Sequence, residues 1–350
     1  MLRQYYGIIS ACVALSLHFI AAFTPYSIID IFYTNGLYVL LKWILWPFQW
    51  LPIHGILLII LSFTLLIFRN ILLFLKRKRA ARVFIRSLLN IAGVVITLFY
   101  LFWGLNYRGK PIRAYLPIEE IKVDTTELQQ FYALITREII QTRNNLHIES
   151  IVASANIDDL QTQLLSAQLP YLSEFGYPTK IPARVRYLPE GALLRISTAG
   201  FYFPFAGEGY IDRGLHPLVI PHVLAHELAH NFGVTDEGEA NFIALRSCLS
   251  VENPYIRYSG LLDLWRYISG SLKFACPNYF QKAYRAIPGK IKADLEAIRK
   301  QHNSYPDILP SVRDFIYDHY LKAQGVEAGL TSYAEVILLE MAYRQQEKTN

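Results

Sequence analysis

Three apolar stretches, residues 5–23, 54–75 and 88–105, limit what this 350-residue chain can fold into more than any other feature. Each is about the length that crosses a hydrocarbon core of roughly 30 Å at about 1.5 Å per helical residue, so each is predicted as a transmembrane helix. The first also fits a cleaved signal peptide, since Arg3 precedes it and Ala21-Ala22 follow, but its length and the further apolar segments favour an anchor. Between the first two lies 31–52, with Trp43, Trp46 and Trp50 and an internal Pro47. That composition suits an aromatic-rich segment lying in the headgroup region, with a fourth span as the alternative.

Charge is divided as unevenly as hydropathy. Residues 1–107 carry nine of the 34 basic residues and one of the 28 acids, Asp30, which leaves 25 basic and 27 acidic residues in 108–350. The formal net charge of +6 therefore belongs to the membrane part. It provides no basic soluble face, so no nucleic-acid partner is expected. In "KRKRAARVFIR", residues 76–86, six positive charges and no acid fall in a short loop between two spans. The positive-inside bias makes that loop cytoplasmic. The span after it then delivers everything from Tyr107 onward to the outer face, whether three or four spans are present. Arg69 and Asn70 sit close enough to the cytoplasmic edge to be structural, and the spans lack the paired central ionisable residues of a transporter.

The organisation that follows is a transmembrane region at 1–107, a Gly/Pro-punctuated stalk at 108–118 and an outer domain at 119–350. In the outer domain helical patterns at 125–145 and 158–175 precede strand signals at 183–189 and 193–197. The aromatic run 200–205 carries Pro204, which removes a ladder donor and places the segment at a sheet edge. Glu208, in "AGEGY", is a candidate for binding a substrate amine or for solvating a turn, and the turn is favoured. Helical patterns then fill 221–231, 236–249, 255–269, 278–286, 288–301, 311–323 and 332–345. The expected fold class is α+β: N-terminal transmembrane helices followed by a mostly helical domain with a small sheet. Cys248 and Cys276 fall in the outer domain, where a disulfide is permitted but not implied.

The chemistry is concentrated in "PHVLAHELAHNFGVTDEGEANF", residues 221–242. His226-Glu227-Leu228-Ala229-His230 is an HExxH pattern. Residues four apart share a helix face, so both imidazoles can bind one Zn²⁺ while Glu227 serves as general base for a water. Val223, Leu224, Ala225, Leu228, Ala229 and Phe232 are uncharged, as a buried helix requires, and Gly233 is a plausible stop. His222, one turn earlier, is assigned a non-ligand role because a catalytic zinc keeps a position open. His54 and His216 lack a partner pattern and read as structural.

"HELAH" followed by "EGEANFIA" resembles the gluzincin class of zinc metallopeptidases, whose downstream helix carries a ligand glutamate. The "ExxAN" form is similar to that of ImmA/IrrE-type peptidases. The whole chain resembles a bacterial membrane family known as domain of unknown function 3810. The resemblance rests on the N-terminal spans, "FWGLNYR" (102–108), "GFYFPFAGEGY" (200–210), the HExxH block and "YLKAQGVEAGLTSY" (320–333). It implies a zincin-like domain and no particular substrate. The departure is the linker of six residues from His230 to Glu237, shorter than in most gluzincins.

The resemblance implies Glu237 as third metal ligand, with Glu239 as the alternative. Helical rotation of about 100° per residue turns the two in different directions, and Glu237 shares its face with Ala240, Asn241 and Ala244. Asn241 is then placed to orient a ligand histidine from behind. Asp236-x-x-Glu239 has the spacing of a capping box, a sufficient role for Glu239. In a zincin-like fold an extended peptide pairs along the strand before the active-site helix, which makes Gly200, Phe201, Tyr202 and Phe203 the candidate substrate edge. Tyr333 is a candidate for polarising the scissile carbonyl.

The expected function is a membrane-anchored zinc metallopeptidase of the inner membrane, with its catalytic domain extracytoplasmic and a peptide or protein substrate. The alternative is a catalytically inert zinc-binding envelope protein.

Overall fold

The computed structural model describes residues 4–76, 78–121, 124–146, 156–308, 310 and 335–349. By its contacts the chain divides into two units. The first comprises Met1–Lys110, Lys180–Arg184 and Tyr202–Glu208; the second comprises Pro111–Thr179, Val185–Phe201 and Gly209–Asn350.

The first unit contains four apolar helices: α1 (Tyr6–Ala21), α2 (Tyr26–Gln49), α3 (Gly55–Leu75) and α4 (Ala81–Phe102). Three of them, α2, α3 and α4, are long and apolar enough to cross a membrane, at 24, 21 and 22 residues. The sequence pattern differs from this at two places. The stretch 5–23 forms a helix of 16 residues, and 31–52 falls largely within a longer helix whose middle, Asp30–Leu37, winds as a π-helix. Hydropathy windows do not register such a change of winding, because it keeps the backbone hydrogen-bonded.

Small residues let α1 and α4 approach closely. A Cβ on Gly7 would lie 2.1 Å from the Asn90 carbonyl oxygen, and one on Gly93 would lie 2.2 Å from that of Gly7. The contacts climb both helices together. Gly7 N–H donates to Asn90 Oδ1 (3.1 Å), Thr97 Oγ1 donates to Ser10 Oγ (2.9 Å), and the rings of His18 and Tyr100 stand 4.7 Å apart. The two helices are therefore parallel. α3 and α4 run antiparallel, with Phe74 stacked on Phe84 at 4.8 Å and Ser87 donating to Asn70 Oδ1 at 2.7 Å. Asn70 is thus a structural residue beside the basic loop.

The second unit is mostly helical with one small sheet. Its helices are α5 (Thr125–Asn144), α6 (Ile157–Glu174), α7 (Ile220–Asn231), α8 (Glu237–Ser250), α9 (Pro254–Ala275), α10 (Pro277–Arg285), α11 (Gly289–Asn303) and α12 (Glu335–Thr349). Asp124 caps α5 in a full capping box with Glu127. The pattern at 311–323 and Tyr333 lie outside the described residues. α8 is the buried centre: every residue from Gly238 to Cys248 is shielded, and α6, α7, α9 and α12 pack around it.

The sheet has three strands in the order β1-β3-β2, where β1 is Val185–Leu188, β2 is Gly200–Phe203 and β3 is Glu208–Asp212. β1 pairs parallel with β3, Val185 opposite Gly209 and Leu188 opposite Asp212. The four-residue link from β2 to β3 makes that pair an antiparallel hairpin.

Two sequence expectations fail in this part of the chain. Residues 193–197 are not a strand. The Asp212 carboxylate accepts N–H bonds from Gly191, Leu193, Leu194 and Gly214 at 2.7–3.1 Å and curls the segment into a turn. Glu208 is not a solvated turn residue: it opens β3, is fully buried, and accepts the Gly55 N–H at 3.4 Å. Both depend on partners far away in sequence, which local pattern does not reveal.

Candidate metal centre

The centre lies in the second unit, on two consecutive helices joined by a tight turn. α7 starts with Pro221 in its first turn, a position where the missing N–H costs nothing. It stops at Gly233, whose φ of 94° a residue with a Cβ adopts only with strain. Asp236 then caps α8 by accepting the Gly238 and Glu239 N–H groups at 2.8 and 3.0 Å.

This turn folds α8 back so that its first residue meets the same face of α7 as the two histidines. His226 Nε2 and His230 Nε2 lie 3.0 Å apart, and Glu237 Oε2 lies 3.2 Å from the first and 3.9 Å from the second. The three donor atoms all fall within 4.8 Å of one another, and among the described residues no other group of three such side chains does so.

Each imidazole is held from behind. His230 Nδ1–H donates to the Val234 carbonyl at 2.7 Å. A carbonyl only accepts, so this bond fixes the tautomer and leaves Nε2 as the lone-pair nitrogen. His226 Nδ1 is 2.9 Å from Asn241 Oδ1, one turn along α8 from Glu237. The two Nε2 atoms and a Glu237 carboxylate oxygen therefore converge on one place, which favours positive charge there. Protonation gives part of the answer. Burial lowers the His226 pKa, but bonding and charge from Glu237 and charge from Glu227 outweigh it and raise the group to about 9. Burial and the His226 charge push His230 down to about 4. The opposite shifts favour a charged His226 beside a neutral His230, and a divalent cation between the Nε2 atoms would supply that positive charge instead. Two imidazole nitrogens and one carboxylate oxygen are a donor set suited to Zn²⁺.

Glu227 projects between α7 and the sheet. The residue is 3% exposed, and Oε2 has no hydrogen-bond partner among the described residues. Burial raises its pKa to about 8, with His226 lowering it and Glu237 raising it further. Room for this side chain comes from two glycines: a Cβ on Gly200 would lie 2.7 Å from Glu227 Oε1, and one on Gly209 would lie 3.1 Å from Glu227 Cβ. Gly200 opens β2, which stands at the sheet edge, and Phe201 turns onto Tyr210 with ring centroids 5.7 Å apart.

The remaining residues named from sequence are distributed as follows. Glu239 is buried and turns away from the histidines. Its Oε1 accepts the Arg113 N–H at 3.2 Å, so Asp236 caps α8 without the reciprocal bond of a capping box, and burial holds its pKa well above the usual range. His222 pairs with Asp263 at 3.4 Å and stays outside the cluster, while His216 Nδ1 accepts the Leu218 N–H at 3.3 Å. Cys248 and Cys276 are free thiols. Tyr202 and Phe203 belong to the first unit, where the Tyr202 ring packs on Trp103 at 4.8 Å.

A family model described as "Protein of unknown function (DUF3810)" matches residues 5–341. The chain belongs to the DUF3810 family. No curated protein and no solved structure matches it. Two features of this DUF3810 chain escape sequence inspection. The Val234 carbonyl comes from the six-residue linker itself, so the short connection supplies an orienting group that a longer loop would have to find elsewhere. The clearance at Gly200 is invisible because a glycine at a strand start also reads as a turn residue.

Proposed function

We propose that this DUF3810 protein is a membrane-anchored zinc metallopeptidase of the gluzincin type, cleaving peptide bonds at the extracytoplasmic face. The observation that carries the reading is the convergence of two imidazoles and the Glu237 carboxylate beside a buried Glu227 whose Oε2 has no hydrogen-bond partner among the described residues. His226, His230 and Glu237 would hold the ion. Zn²⁺ bound there would supply Lewis acidity toward a carbonyl and lower the pKa of a water. Glu227, buried beside that position with Oε2 lacking a hydrogen-bond partner among the described residues, would be the group that accepts and returns a proton there. Asn241 and Val234 keep the Nε2 lone pairs aimed. β2 is an outer strand of the sheet, and the clearance at Gly200 beside Glu227 supports the approach of an extended peptide there.

The basic run 76–86, which extends into the first turns of α4, supports the extracytoplasmic placement, because it puts the start of that helix on the cytoplasmic side. The test is cleavage of a mixed peptide library by the purified full-length protein. Activity that disappears in Glu227→Gln while the metal stays bound supports the reading. Metal bound by the wild type with no cleavage of any peptide would instead support an inert, structural zinc site.

A further inference from the structure

By length and hydropathy α2 is a membrane span, yet its contacts within the first unit place it elsewhere. α1 accompanies α4 from its second turn to past its end. Gln4 accepts from Arg86 in that second turn and from Asn90 midway along α4, and His18 meets Arg108, just past its end, at 2.8 Å. α3 returns antiparallel to the basic loop. α1, α3 and α4 therefore connect the two ends of the bundle, and α2 begins where α1 ends and finishes where α3 starts. Both of those points lie at the end where α4 finishes.

Contacts along α2 agree at every step. Asp30 Oδ1 accepts the Lys110 N–H at 3.3 Å, and Tyr33 donates to the Leu101 carbonyl at 3.0 Å. Lys42 lies 3.5 Å from the hydroxyl of Tyr202, whose ring packs on Trp103. Lys42 Nζ and Gln49 Nε2 both donate to the Gly207 carbonyl, at 2.7 and 2.9 Å, and Gly55 at the head of α3 donates to Glu208. A helix of 24 residues is about 36 Å long, so a spanning α2 would have to leave this end of the bundle entirely.

The side chains divide in the same way. The only ionisable groups with a formal charge in α2, Asp30 and Lys42, both face protein. Opposite them Phe32, Leu40, Trp43, Ile44 and Phe48 are 51–73% exposed and carry no charge. We propose that α2 does not cross the bilayer but lies in the leaflet at the end where α4 finishes. Its aromatic face is immersed among lipid acyl chains, and its Lys42/Gln49 face grips the turn between β2 and β3. The membrane thus holds that turn through a helix rather than through the stalk alone.

Sidedness tests this directly in the full chain with Cys12, Cys248 and Cys276 replaced by alanine. Phe23→Cys and Ile53→Cys, at the two ends of α2, should react with an impermeant thiol reagent from the same side, and Gln4→Cys and Arg79→Cys from the other. Labelling of residues 23 and 53 from opposite sides would overturn the proposal. Short epitopes inserted after Phe23 and after Ile53 in the otherwise wild-type chain give the same comparison without cysteine replacement. Depth gives the second readout: fluorophores at Ile31→Cys, Leu40→Cys and Phe48→Cys should all be quenched best by the same shallow spin-labelled lipid. A span would move them through about 26 Å, and strongest quenching of Leu40→Cys by the deepest probe contradicts an in-leaflet helix. Neither readout depends on metal or on peptide cleavage.

Discussion

Lys42 in the first unit and Glu227 in the second are both ionisable side chains nearly sealed from water, at 1% and 3% exposure. Their surroundings differ in kind. Lys42 donates to a backbone carbonyl at 2.7 Å, lies near a tyrosine hydroxyl, and its ammonium sits 5.3 Å from the Tyr202 ring centroid. Glu227 has one oxygen without a donor among the described residues and stands beside His226 and His230, whose Nε2 atoms lie 3.0 Å apart. A buried charge surrounded by fixed partners holds a structure together. A buried carboxylate oxygen left without a donor costs about 1–3 kcal/mol, which makes Glu227 beside the two imidazoles a candidate for a functional role.

The sharpest way to break this contrast is Glu227→Gln. An amide cannot take a proton, so peptide cleavage should fall by about 10²–10⁴-fold with zinc content unchanged, as read by turnover and metal analysis on the same sample. Retained turnover would move the base to another residue. Next in size is the pair Glu237→Gln and Glu239→Gln. The first should weaken zinc binding by more than about 100-fold, beyond what a supporting residue accounts for. The second loses a buried carboxylate on the Arg113 N–H that an amide oxygen can still serve, so it should change thermal stability by about 1 kcal/mol and leave affinity intact. The opposite pattern, measured by competition with a chromophoric chelator, would make Glu239 the ligand.

Asn241→Ala removes the group behind His226 and should lower zinc affinity about 10–100-fold while Asn241→Asp retains most of it. Equal losses in both variants would show that Asn241 acts through packing alone. The smallest effect belongs to the other side of the contrast. Lys42→Met removes a donor from the Gly207 carbonyl, but Gln49 still donates there at 2.9 Å, so denaturation should register a loss of only about 1 kcal/mol, with cleavage and zinc content unaltered. A collapse of zinc binding in Lys42→Met would mean that the two regions are not separable.

What the sequence made legible follows from how local each feature is. The i, i+4 histidines and the Glu237 and Asn241 turn of α8 are set by helical spacing, so their faces can be read from residue numbers. The helices of the second unit were legible for the same reason, including α6, which continues through Pro170 near its end. The turn at 191–194 was not, because Asp212 organises it from about twenty residues away. Neither was β3, whose "EGYID" lacks an apolar alternation because the strand is buried on both faces. For α2, the tryptophans and Pro47 of 31–52 suited a segment in the headgroup region but left a fourth span open. Composition reports that a helix is apolar, while the side of the bundle on which each end lies is decided by Asp30, Tyr33 and Gln49 finding partners at one end.

The central claim is that His226, His230 and Glu237 form a metal site, and zinc stoichiometry of the full-length protein purified in detergent without chelators tests it most directly. The wild type should hold about one zinc per chain, and His226→Ala and His230→Ala should each lose most of it while keeping the helical content of the parent. Zinc bound at the wild-type ratio in both variants would contradict the account.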